Sequence, residues 1–172
     1  QQADEALYYA KQAGKNQIKV YKKGQTPSHL TDVKGAASSY VSTIYALMAA
    51  IDAKDHYTFS HSENVAYYAQ ELAKAYGMDE EAVKIIYEAG LLHDIGKIGI
   101  DESIINKPGK LTDQEYETIK GHVELAVGII RHLPSLDYVI PAVIGHHERY
   151  DGKGYPRRLK GEGIPLMARI LC

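Results

Sequence analysis

Cysteine is nearly absent: Cys172 stands alone among 172 residues. No internal disulfide framework can therefore support the fold, and a reducing compartment, the cytoplasm, is expected. A dominant charge sign is also missing, since 20 Lys and Arg against 22 Asp and Glu leave a formal net charge of -2. That balance argues against the broad basic surface that binds DNA or acidic membrane, so any anionic ligand must be recognised locally. Long apolar runs are lacking too. The longest, Tyr45 to Ile51, is far too short to cross a bilayer, and the N-terminus has no basic-then-apolar signal pattern. The segment is expected to be soluble without membrane contact, although flanking sequence in a parent protein could carry an anchor. Repeats and low-complexity stretches do not occur. With 45% hydrophobic residues the chain can bury one sizeable core, or one domain plus an attached fragment.

A boundary falls at Lys22-Lys23-Gly24-Gln25-Thr26-Pro27, where charge, glycine and proline interrupt the periodicity. Before it, Ala3 to Ala13 reads as a short helix closed by Gly14, and Gln17 to Tyr21 alternates like a strand, too little to bury a core. From about Leu30 to Ala53, a stripe of Val41, Ile44, Tyr45, Met48 and Ile51 predicts a long connector helix. The stripe can pack on its own domain or pair with a second copy, and a homodimer through this helix is expected. Helices then follow from Ser60 to Tyr76, from the N-cap Asp79 to Asp94, and from the capping box Thr112 to Glu115 as far as Arg131, with a bend at Gly121. Pro134 ends that helix. Another reaches His147, with Pro141 as its kink or its start, and a last segment follows Pro165. No strand pair is predicted after residue 24, so the core should be all-α.

Polar residues on these helices extend apolar rows. In the first core helix Val65, Tyr68, Ala69, Leu72 and Tyr76 form the expected inner face, and four residues before Val65 stands His61. Val83, Tyr87 and Gly90 lead to Asp94; Ile86 and Ala89 lead to His93. His122 lies beside Ile119 and Ala126, while His146 and His147 follow Val139, Ile140 and Val143. One such histidine would be an ordinary core residue. Six ionisable groups converging on an interior need an extensive hydrogen-bond network or a cation, and a cation satisfies them more simply. Successive helical residues diverge by about 100°, so the doublets His93-Asp94 and His146-His147 can address two ions. Paired catalytic metals sit roughly 3.5–4 Å apart, and Asp94 could bridge them. His29, His56 and His132 are left outside the cluster, as solvent-facing, capping or unrecruited residues.

The stretches HDIGKIGI (His93 to Ile100), KPGKLT (Lys107 to Thr112), His122, HHERYDGKGYP (His146 to Pro156) and IPLMARIL (Ile164 to Leu171) resemble, in that order, the signatures of the HD-GYP family of cyclic di-GMP phosphodiesterases. The opening ADEALYYAKQAGKNQIKVY resembles the last helix and strand of GGDEF diguanylate cyclase domains. These resemblances imply a GGDEF-like remnant over 1–23, a linker and connector helix over 24–53, and an HD-GYP domain over 54–172. The implied fold is an all-α, HD-superfamily helical bundle with a long N-terminal connector helix and a short α/β stub.

By resemblance, His61, His93, Asp94, His122, His146 and His147 are metal ligands, with Asp94 and Lys97 catalytic and Lys97 near the scissile phosphate. Asp151, Gly152, Gly154, Tyr155 and Pro156 join Lys97 in substrate binding: the glycines allow close backbone approach, Pro156 stiffens the loop exit, and Tyr155 contacts a guanine or a phosphate. Tyr57 stands where members with a third metal carry Glu, so two divalent ions are expected, iron or manganese by family habit. The implied reaction opens cyclic di-GMP to linear pGpG and onward to GMP, with GGDEF-domain proteins as partners. The family's next ligand is an Asp shortly after the ARIL stretch, so the 172-residue piece is expected to be impaired relative to its parent. The alternatives are a non-catalytic signalling module that binds cyclic di-GMP or a GGDEF partner, and an HD phosphohydrolase acting on another nucleotide.

Overall fold

The structure, a computed structural model, describes residues 37–54 and 58–172. The predicted N-terminal helix, strand and linker, together with His29, His56 and Tyr57, lie outside the described residues.

The described residues are helical, with no strand among them: α1 (Ala37–Asp52), α2 (Thr58–Tyr76), α3 (Glu80–Leu92), a 3-10 turn (Ile95–Gly99), α4 (Glu102–Ile105), α5 (Asp113–Lys120), α6 (His122–Ile130), a 3-10 segment (Pro134–Val139), α7 (Ile140–Gly145), a short 3-10 turn (Gly161–Gly163) and α8 (Leu166–Leu171). None is long and apolar enough to cross a membrane.

The local signals act where expected. Asp79 caps α3 by accepting from the Ala82 amide at 2.8 Å. Thr112 and Glu115 form a complete capping box, and Lys107 reaches the same Glu115 carboxylate at 2.6 Å. The predicted bend at Gly121 is a full break between α5 and α6, and Pro141 occupies the first turn of α7, where a missing N–H costs nothing. His132 is exposed, its Nδ1 bonded to the Gly128 carbonyl.

Ile44, Met48 and Ile51 of α1 are buried in the core of their own domain with Ile86, Leu92, Ile130, Leu136 and Val143. These three residues of the connector stripe thus pack on their own domain, while Tyr45 is 38% exposed.

The inner face of α2 is not the one its bulky residues suggested. Tyr68, Leu72 and Tyr76 are 69%, 53% and 66% exposed, while Ser62, Ala66, Ala69 and Ala73 are buried. The cause is the closeness of α3: a Cβ built at Gly90 would lie 2.5 Å from Ala66 Cα. Backbones at that separation leave room for glycine and alanine only, and the larger residues rotate to the outside.

Candidate metal centre

The helical ends carry the polar residues to one place. His93 caps α3 and Asp94 begins the turn that follows, so both leave the helix where its backbone is already open. His122 begins α6, and His146 and His147 directly follow α7. Asp94, His122, His146 and His147 form one group of donors and His61, His93 and Asp94 a second, the donor atoms within each group lying within 4.8 Å of one another. Asp94 belongs to both. Its Oδ2 lies 3.3 Å from His93 Nε2 and 2.8 Å from Lys97 Nζ, and its Oδ1 lies 3.3 Å from His122 Nε2. Of the six predicted donors only His61 stays exposed, at the rim of the site.

The donor chemistry fits a cation. Nδ1 of His93, His122 and His146 faces the carbonyl of the residue three positions earlier, Gly90, Ile119 and Val143, at 2.7, 2.6 and 2.5 Å. A carbonyl only accepts, so each Nδ1 donates its proton there and each Nε2 is turned inward, the arrangement that orients metal-ligating imidazoles, and in neutral His122 and His146 that Nε2 is a bare lone pair. Nε2 of His122 and Nε2 of His146 then confront each other at 3.4 Å. Two facing lone pairs repel unless a positive ion lies between them and the carboxylate.

Burial, above all, favours the neutral form of three imidazoles: His146 is pushed down to about 2 and His147 to about 4, and His122 is also lowered. At Asp94 burial works the other way, raising the carboxyl. The neighbouring His93 and Lys97 outweigh it and hold the group well below the usual carboxylate range.

The cluster forms the floor of a cavity of about 990 Å³ whose lining includes Tyr68, Lys97, Tyr116, Arg149, Lys153 and Tyr155. Tyr155 stacks on His147 with ring centroids 4.7 Å apart at 21°, and Lys120 lies over both Tyr116 and Tyr155. Gly154 also lines the cavity. Asp151 and Gly152 do not: Asp151 pairs with Arg149 at 2.8 Å, and Gly152 supplies a turn with φ of 80°. Pro156 is half-buried beyond a cis Tyr155–Pro156 bond.

Sequence reasoning passed over Glu148, which is 2% exposed and bonded to the amides of Arg157 and Leu159, and Lys54, which donates to the Ile98 carbonyl at 2.7 Å. A carboxylate directly after a His doublet was the only available signal for Glu148, because its partners lie in a loop without periodicity.

Residues 46–172, more than half of the chain, match the family model described as the HD domain. The chain belongs to that family. Among known proteins it is similar to 3'3'-cGAMP-specific phosphodiesterase 2 of Vibrio cholerae serotype O1, at 37% identity over 90% of this chain and 30% of that protein. It is also similar to the cyclic di-GMP phosphodiesterase response regulator RpfG of Xanthomonas campestris pv. campestris, at 41% over 76% of this chain and 35% of that protein. A third relative is a cyclic di-GMP phosphodiesterase of Thermotoga maritima, at 41% over 69% and 33%. The chain spans about a third of the length of these relatives.

Proposed function

We propose that this domain belongs to a metal-dependent phosphodiesterase that cleaves a 3'–5' linkage of a cyclic dinucleotide, cyclic di-GMP or 3'3'-cGAMP, to the linear dinucleotide. The observation that carries the reading is one carboxylate, Asp94, shared by two donor groups on the floor of a cavity edged with cationic and aromatic side chains. The names of the similar proteins support the substrate class. His61 and His93 would hold one divalent ion and His122, His146 and His147 another, with Asp94 common to both; iron or manganese suits these nitrogen and oxygen donors. When bound, such ions activate water and withdraw charge from the phosphate.

The chain's own residues do the rest. Lys97, held at Asp94, keeps an ammonium beside the site where the phosphate's non-bridging oxygens would lie. Arg149 and Lys153 offer positive charge at the cavity edge, and Tyr155 offers a flat face for a base or an edge for a phosphate. The loop residues Asp151, Gly152, Gly154 and Pro156 shape that edge. Partnership with GGDEF-domain proteins, and a dimer through α1, belong to the same reading.

The test is turnover by manganese- or anaerobically iron-loaded protein, followed by chromatography of the linear product from each of the two nucleotides. Asp94→Asn should bind less metal and lose at least about 100-fold in rate. Metal-loaded wild-type protein that binds either nucleotide yet opens neither would refute the reading and favour a signalling module.

A further inference from the structure

The loop that carries Tyr155 is tied down by a residue with no place in either donor group. Glu148 follows the ligand doublet and is 2% exposed, yet its carboxylate addresses the loop's far side: Oε1 accepts from the Arg157 amide at 2.7 Å and Oε2 from the Leu159 amide at 2.9 Å. Between these two amides sits Arg158 with φ of 54°, a left-handed conformation that an L side chain adopts only when its surroundings over-determine it. One charge-assisted hydrogen bond on each flank supplies that constraint.

The near side of the loop is fixed to the same short stretch. The Tyr155 amide donates to the His147 carbonyl at 3.2 Å, its ring stacks on the His147 imidazole, and a Cβ at Gly154 would lie 2.5 Å from Glu148 Cα. Residues 147–149 therefore form a backbone anvil on which the loop rests, and Glu148 closes it from beneath.

We propose that Glu148 is a positioning residue: by holding the exit of the Tyr155 loop it fixes the Tyr155 ring and the adjacent Lys153 at the cavity edge, and so sets the affinity for a bulky nucleotide while leaving the metal cluster and bond cleavage untouched. The proposal rests on the phosphodiesterase reading, and a small diester that reaches the metals without needing the loop separates the two.

The experiment compares wild type, Glu148→Gln and Glu148→Ala, each loaded with manganese, by metal stoichiometry, hydrolysis of bis(p-nitrophenyl) phosphate, kcat and KM for cyclic di-GMP and 3'3'-cGAMP, and amide exchange at Arg157 and Leu159. Metal content should be unchanged and small-ester hydrolysis should stay within about twofold, while KM for the nucleotides rises at least about tenfold in Glu148→Ala with a smaller change in kcat. Both amides should exchange faster. Glu148→Gln, which retains one acceptor oxygen but turns an amide donor toward the second N–H, should fall between the two. An unchanged KM, or equal losses of metal, small-ester and nucleotide activity, would overturn the proposal. Wild-type protein that cleaves the small ester but neither binds nor opens either nucleotide would remove the substrate reading and the affinity claim with it, leaving exchange to report the clamp alone.

Discussion

Gly96, in the turn between the ligands of α3 and those of α6, offers a severe single-atom test of how the site is held. A Cβ built there would lie 1.8 Å from the His122 carbonyl oxygen, 2.6 Å from the Ala126 amide nitrogen and 2.7 Å from the His122 carbonyl carbon. His122 and Ala126 are the i and i+4 partners of the first turn of α6, so the obstacle is helical backbone and no rotamer can relieve it. An ordinary contact needs about 3.4 Å or more, so turn and helix must separate by more than about 1 Å in Gly96→Ala, and overpacking of this kind costs about 1–3 kcal/mol or more. The same shift moves His122, which starts α6, away from Asp94 and His146, whose atoms lie 3.3 and 3.4 Å from its Nε2. Metal–ligand distances tolerate about 0.2 Å, so manganese affinity should fall at least about 10-fold. Gly128→Ala is the control: it lies in the same helix with nothing within 4 Å of a Cβ placed there, and helix propensity should make it up to about 1 kcal/mol more stable with unchanged metal binding. Urea unfolding in chelator and manganese calorimetry measure both effects. A Gly96→Ala protein with wild-type midpoint and affinity, or a Gly128→Ala protein equally damaged, would refute the close-approach argument.

Metal-free protein should lose stability in acid. His146 and His147 stay neutral in the fold down to about pH 2 and about pH 4, against an ordinary value of 6.5, so unfolding takes up protons below pH 6.5 and stability, full above that pH, declines as the pH falls. At pH 5 the loss is about 2 kcal/mol for His146 and, for the half-buried His147, about half of that after solvent screening. A urea midpoint that is flat between pH 7.5 and 5 in chelator would contradict this. Lys54→Ala removes the hydrogen bond from the end of α1 to the Ile98 carbonyl and should cost about 0.5–1.5 kcal/mol, read as a lower thermal midpoint; no change would show that this tie is not formed in solution.

Much of the fold follows from short-range rules. The caps at Asp79 and Thr112, the break at Gly121 and the stripe of Ile44, Met48 and Ile51 each depend on residues within about four positions of one another, the reach of one helical turn. The donors at His93, Asp94, His122, His146 and His147 were legible for the same reason, since each extends an apolar row on its own helix, whereas His61 belongs to a row whose bulky members face outward and reaches only the rim of the site. The outward rotation of Tyr68, Leu72 and Tyr76 was not, because amphipathicity identifies an apolar row without knowing how closely a neighbour approaches.

Chain order alone therefore determined an all-helical domain with imidazoles and one aspartate at its helix ends. Tertiary packing decided which oxygen of Asp94 faces which imidazole, why position 96 must be glycine, and what Glu148 holds. Those outcomes depend on contacts between segments far apart along the chain, where distances of a few tenths of an ångström separate a bond from a clash and no local pattern records them.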